Sequence, residues 1–189
     1  MRLYLIRHGK PEVDIGICYG SSDLPVSKQE HHRVANALLP ALPHGVPVFS
    51  SPLQRCRVLA EVLAGTLNAP GVAQDSRLAE IHFGDWEMRT WEEIPRKEID
   101  AWAADVVHYR PGKGESVIEV ATRVRRFYDD MCNSGMTEAI VVCHAGTIRL
   151  LGQCLLHSLP EDIACQAGGV RHSIGYGELT VLDCSCLLR

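Results

Sequence analysis

From its first residue the chain alternates short β-rich runs with stretches of helical spacing, and this alternation leaves few folds open. Residues 2–6, 46–50, 71–74, 139–143 and 178–184 read as strands. Parallel neighbours need a crossover, and the intervening helices supply it. The expected architecture is an α/β three-layer sandwich, a mostly parallel central sheet flanked by helices on both faces. Its 189 residues suit a single domain spanning 1–189.

Capping signals mark where the helices should begin. Ser27 to Glu30 forms a capping box that opens a helix to about Leu39. Ser51-Pro52 offers an N-cap and an N1 proline for a helix to about Leu67. Thr90 to Glu93 is a second box, expected to start a helix toward Val106. The third box, Ser116 to Glu119, precedes Val117, Val120, Val124, Phe127 and Met131, an apolar stripe on one helical face. Ile148, Leu151 and Leu155 give helical spacing again, whereas residues 158–170 carry no clear pattern.

Charge and cysteine usage narrow the function classes. Net charge is −4 with no basic block, so the chain lacks the electrostatic grip that nucleic acid demands. The apolar run Leu3 to Ile6 is too short for a signal-peptide core or a membrane span, which points to a cytoplasmic protein. Eight cysteines without a CxxC pair, in a chain of this length, read as reduced thiols, mostly buried. Cys184 and Cys186 form only a CxC, and no HExxH occurs, so no metal or other cofactor is expected. His31 and His32 read as a solvated surface pair.

His8 and His144 each follow directly on an apolar strand. That puts both at carboxyl ends, where open α/β sheets bind their ligands. Arg7 precedes the first, and Arg55 opens the helix after another strand. If those strands are neighbours, two imidazoles and two guanidiniums converge on one cavity. The free N–H groups expected at the helix starts after Ser51 and Gly146 would complete an anion site. An Arg-His-Gly tripeptide alone is weak evidence, expected by chance in about 6 of 100 chains of this composition.

The joint pattern is stronger. Leu3-Tyr4-Leu5-Ile6-Arg7-His8-Gly9, Ser51-Pro52-Leu53-Gln54-Arg55, Glu80-Ile81-His82-Phe83-Gly84-Asp85-Trp86-Glu87, Gly112-Lys113-Gly114-Glu115-Ser116 and Val142-Cys143-His144-Ala145-Gly146, in this order, resemble the histidine phosphatase (phosphoglycerate mutase-like) superfamily. The resemblance covers nearly the whole chain. It implies that His8 is the nucleophile, forming a phosphohistidine that water hydrolyses. It also implies that Arg7, Arg55 and His144, with Ala145 beside it, hold the phosphoryl group, and that Glu80 protonates the leaving oxygen. Fixed cations suit a reaction that spreads charge over equatorial oxygens. His8 must attack as neutral imidazole, which nearby arginines would favour. Glu80 must carry a proton when it acts, which shelter by Phe83 and Trp86 would promote.

Some residues depart from the family pattern. Lys10-Pro11 replaces the usual acidic-threonine pair, and Val58 stands where threonine is common; neither removes a catalytic group. His144-Ala145 in place of His-Asp disfavours the acid phosphatase and phytase branch. The absence of longer mutase-type segments favours hydrolysis over phosphoglycerate mutase-type transfer. Gly16 to Pro25 looks like the corresponding segment of α-ribazole phosphatases, which act in cobalamin assembly, so α-ribazole 5'-phosphate is the candidate substrate. Broad-specificity phosphomonoesterase, sugar phosphate phosphatase and protein phosphohistidine phosphatase stay open, as does a non-catalytic phosphate-binding module. The expected partner is a small-molecule phosphate ester, and exposed strand edges leave room for a homodimer.

Overall fold

The computed structural model describes residues 1–169 and 174–184. Its centre is a five-stranded sheet built from β1 (Arg2–Arg7), β2 (Val48–Ser50), β3 (Val72–Gln74), β4 (Glu138–Cys143) and β5 (Leu179–Asp183), in the order β3-β2-β4-β1-β5. β1, β2 and β3 join the ladder through parallel pairings, and β5 closes the edge beside β1 as the antiparallel strand. The mostly parallel sheet and its flanking helices match the expected α/β architecture.

Alternation along the central strands explains their unbroken apolar sequence. Ala139, Val141 and Cys143 of β4 face one core, and Ile140 and Val142 face the other, so both faces are covered. The helices α1 (Lys28–Leu38) and α2 (Gln54–Thr66) cover the second face. The first is covered by α4 (Val117–Asn133), α5 (Ala145–Cys154) and α6 (Pro160–Gly169). The Ser116 capping box forms as expected, and Val120, Val124, Phe127 and Met131 are buried on the inner face of α4. The helix α3 (Arg96–Ala104) lies apart, over a small cluster of Cys18, Trp86 and Ile94 edged by Phe83, Ile99, Trp102 and Tyr109.

Several local expectations need correction. The Thr90–Glu93 box does form, but it closes only a turn, and α3 waits until Arg96 because Pro95 disfavours helical backbone at Ile94. Ser51 does not cap α2. That helix starts at Gln54, whose N–H donates to the Asp23 carboxylate at 2.7 Å. His31 is buried rather than solvated, because it shares the inward face of α1 with Val34, Ala35 and Leu38, while His32 is exposed. Residues 160–169 form α6, whose inward face consists of Ile163, Ala164 and Ala167, too small a stripe to stand out in sequence; residue 170 lies outside the described residues. Seven cysteines are free thiols, five of them buried, and Cys186 lies outside the described residues. Among the described residues no helix is long and apolar enough to cross a membrane.

Candidate active site

The sheet order decides the site. β1 and β4 are parallel neighbours with Arg7 level with Cys143, so the next residues, His8 and His144, emerge side by side. The His8 N–H extends the ladder by donating to the Cys143 carbonyl at 3.1 Å. The two rings meet edge to face with centroids 5.1 Å apart. On the other flank the Ser51 N–H donates to Val142, bringing the end of β2 level as well. The Ser51 hydroxyl is 2.8 Å from His144 Nε2 and shares a hydrogen bond with it. The Cys56 thiol reaches the same ring at 3.5 Å. Neither contact was legible in sequence, because nothing there shows that β2 lies beside β4.

Both imidazoles are held neutral. His8 Nδ1 lies 2.7 Å from the Gly9 carbonyl, which can only accept, so Nδ1 carries the proton and Nε2 a lone pair. Burial, then the Arg55 and Arg7 guanidiniums, push the His8 pKa down to about 3 against the opposing pull of that carbonyl. Burial also drives His144 well below the ordinary histidine value, aided by His8, Arg55, Arg123 and Arg7.

Arg55 is fully buried and donates to the Ser22 carbonyl at 2.6 Å and to that of Gly20. Arg7 donates to the Ile174 carbonyl at 2.5 Å and stacks 3.8 Å from the Tyr176 ring centroid. The Nε atoms of both arginines are buried without a hydrogen-bond partner among the described residues. The carbonyls that orient Arg55 are themselves fixed by Glu87. Its carboxylate accepts from the backbone N–H groups of Gly20, Ser21, Ser22 and Phe83 at 2.9–3.1 Å, and from the Ser22 hydroxyl. Burial works against the charge on Glu87, but hydrogen bonds from Ser22, Phe83, Gly20 and Ser21 hold it below the usual carboxylate range. Gly20 is required here, since a Cβ would stand 1.9 Å from the Ile81 carbonyl oxygen.

Glu80 closes the opposite side. Its Oε2 accepts from the Gly146 N–H at 3.2 Å, at the start of α5, and a Cβ on Gly146 would stand 2.5 Å from Oε1. The helix begins at Ala145, earlier than expected, and the Ala145 N–H has no intrahelical acceptor. Of the two helix starts expected to offer N–H groups to an anion, that of α2 is taken by Asp23, and at α5 the Gly146 N–H is taken by Glu80. Beyond Glu80 opens a cavity of about 530 Å³ walled mostly by apolar side chains, among them Phe83, Ile99, Trp102, Val117 and Leu150, with Arg149 as its cation. Phe83 shares that cavity with Glu80. Trp86 does not line it, and its indole N–H donates instead to Glu98 at 2.7 Å. Among the described residues, no group of three His, Cys, Asp or Glu side chains is placed to hold a metal ion.

All six residues expected from sequence, Arg7, His8, Arg55, Glu80, His144 and Ala145, therefore border one region. The sequence profile of the histidine phosphatase superfamily (branch 1) matches residues 3–182. The chain belongs to that superfamily. This phosphatase is 32% identical over 159 residues to the adenosylcobalamin/alpha-ribazole phosphatase of Escherichia coli K12, covering 80% of the chain and 77% of the relative. It is 31% identical over 181 residues to the glucosyl-3-phosphoglycerate phosphatase of Mycolicibacterium vanbaalenii, covering 89% and 80%. Its fold superposes on the crystal structure of the alpha-ribazole phosphatase from Shigella flexneri with a TM-score of 0.80 at 26% identity, over 97% of this chain and 90% of that one.

Proposed function

We propose that this phosphatase hydrolyses a phosphate monoester through a phosphohistidine on His8, with α-ribazole 5'-phosphate as its substrate. The observation that carries the covalent route is the His8 ring: Nδ1–H is engaged by Gly9, and Nε2 is neutral among two guanidiniums. A module that only bound phosphate would need the arginines but no imidazole lone pair aimed among them. The buried Nε–H groups of Arg7 and Arg55 would find acceptors in phosphoryl oxygens.

In the first step His8 Nε2 attacks phosphorus, the N–P bond forms, the ester P–O bond breaks, and Glu80 gives its proton to the departing alkoxide. In the second, water attacks phosphorus, its proton passes to Glu80, the N–P bond breaks, and orthophosphate leaves. The charge developing on the equatorial oxygens is met by Arg7, Arg55, neutral His144 and the Ala145 N–H. No step calls on a metal, so turnover should persist in EDTA.

The substrate reading rests on the alpha-ribazole phosphatase relatives and on the mostly apolar cavity, where the Phe83 and Trp102 rings offer an aromatic nucleoside a surface to pack on. Rapid quenching with 32P-labelled substrate should trap an acid-labile, base-stable phosphoenzyme, and a chiral ester should react with retention. Inversion would mean direct attack by water. Ranking kcat/KM across α-ribazole 5'-phosphate, glucosyl-3-phosphoglycerate and 4-nitrophenyl phosphate tests the substrate, and preference for the glycosyl ester would overturn it. The free thiols support a cytoplasmic location.

A further inference from the structure

Arg123 lies on α4, outside the residues that surround the phosphoryl site, yet its guanidinium reaches three backbone carbonyls and a carboxylate. Its Nη1 donates to the carbonyls of Arg77 and Ala79 at 2.8 and 2.7 Å, and its Nη2 to that of Glu80 at 3.3 Å. The same guanidinium pairs with both Glu115 oxygens, Nε and Nη2 each at 3.0 Å. Glu115 Oε2 accepts in turn from the His82 N–H at 3.0 Å, on the far side of Glu80. The pair is only 18% and 29% exposed, so solvent competes weakly for these contacts. Together the two side chains grip the backbone on both sides of Glu80, in a stretch that no sheet ladder holds.

We propose that Arg123 and Glu115 are positioning residues for the leaving-group acid: they fix where the Glu80 carboxyl meets the ester oxygen. This rests on the reading of Glu80 as that acid. The planar guanidinium is needed because one side chain must satisfy three carbonyls and a carboxylate at once, which an ammonium point charge cannot do. A displacement of about 1 Å at a reacting group costs on the order of 10²-fold in rate. That loss should appear only where protonation of the leaving oxygen matters. An alkoxide needs the proton, and a nitrophenolate leaves without it.

The test compares 2-phenylethyl phosphate with 4-nitrophenyl phosphate. Arg123→Met is expected to lower kcat/KM for the alkyl ester by about 30- to 100-fold and for the aryl ester by less than about 3-fold. The double variant Arg123→Met/Glu80→Gln should be no slower on the alkyl ester than Glu80→Gln alone, because a mispositioned acid and an absent one act on the same step. Equal losses on the two esters for Arg123→Met, or additive losses in the double variant, would overturn the positioning role. Equal losses for Glu80→Gln itself would instead overturn the acid reading, so the two failures are distinguishable. If Arg123→Met does not fold, Glu115→Gln serves. It keeps the shape and removes the charge, and should lower the alkyl-to-aryl ratio about 5-fold; an unchanged ratio would refute the proposal.

Discussion

Arg7, His8 and His144 occupy the ends of two paired strands, whereas Glu80 and one wall of the cavity beyond it belong to residues 75–115, a stretch holding one α-helix and three single turns. On the phosphate side, position follows from backbone register. The ladder that aligns Arg7 with Cys143 also sets the two imidazoles 5.1 Å apart. On the leaving-group side, position follows from side chains that reach across loops: Glu87 to 83, Arg123 and Glu115 to 77–82. Glu87 serves the phosphate side as well, because it also holds 20–22, whose carbonyls orient Arg55. A sheet spreads the cost of a displacement over many hydrogen bonds, and a loop concentrates it in a few. Substitutions on the first side should therefore affect every ester alike, and those on the second should depend on the alcohol.

The sharpest contrast comes from four substitutions and one titration. His8→Ala removes the nucleophile and should lower turnover of every ester by at least about 10⁴-fold. Residual turnover near wild type would reassign the attack. Arg55→Ala should cost roughly 10²- to 10³-fold on alkyl and aryl esters together, as expected for a donor to transition-state oxygens. A loss confined to one ester class would break the division between the two sides. Glu80→Gln should cost about 10²-fold on alkyl phosphates and only a few fold on 4-nitrophenyl phosphate. Trp102→Ala, in the cavity wall, should raise KM for an apolar alkyl ester about 10-fold and leave glycerol phosphate nearly unchanged. Uniform effects would mean that the cavity does not receive the alcohol.

The smallest expected signal is a titration that does not happen. With a pKa near 3, the His8 ring should show no NMR titration between pH 8 and 5, whereas exposed His108, raised by Asp105 and Glu161, should titrate. The linkage sign follows. His8 binds a proton in the unfolded chain below about 6.5 but in the folded protein only near 3. Its contribution to stability is therefore fully present above 6.5 and is lost as pH falls toward 3, by about 1.4 kcal/mol per pH unit. Urea melts of the wild type and of His8→Gln at pH 7 and pH 5 isolate this share, because His144 and His31, also lowered, and His108, raised, contribute to both proteins; the same pH dependence in the two would overturn the lowered His8 value.

The α/β order and the strands that end on His8 and His144 could be read along the chain, because hydrophobic periodicity and capping are local properties. The helix α4 could be read from its box and stripe for the same reason. The motif residues were readable, including Glu80 in a loop, since their order along the chain carries the resemblance. Tertiary structure alone decided what those residues touch. Ser51 looks like a helix cap until β2 is placed beside β4, where its hydroxyl meets His144. Asp23 looks like a loop residue, yet it caps α2 from 31 positions away in the chain. Arg123 looks like one more cation on a helix until the fold lays the Glu80 loop against it. Hydrogen bonds between residues distant in sequence depend on which elements become neighbours, and local propensity carries no record of that choice.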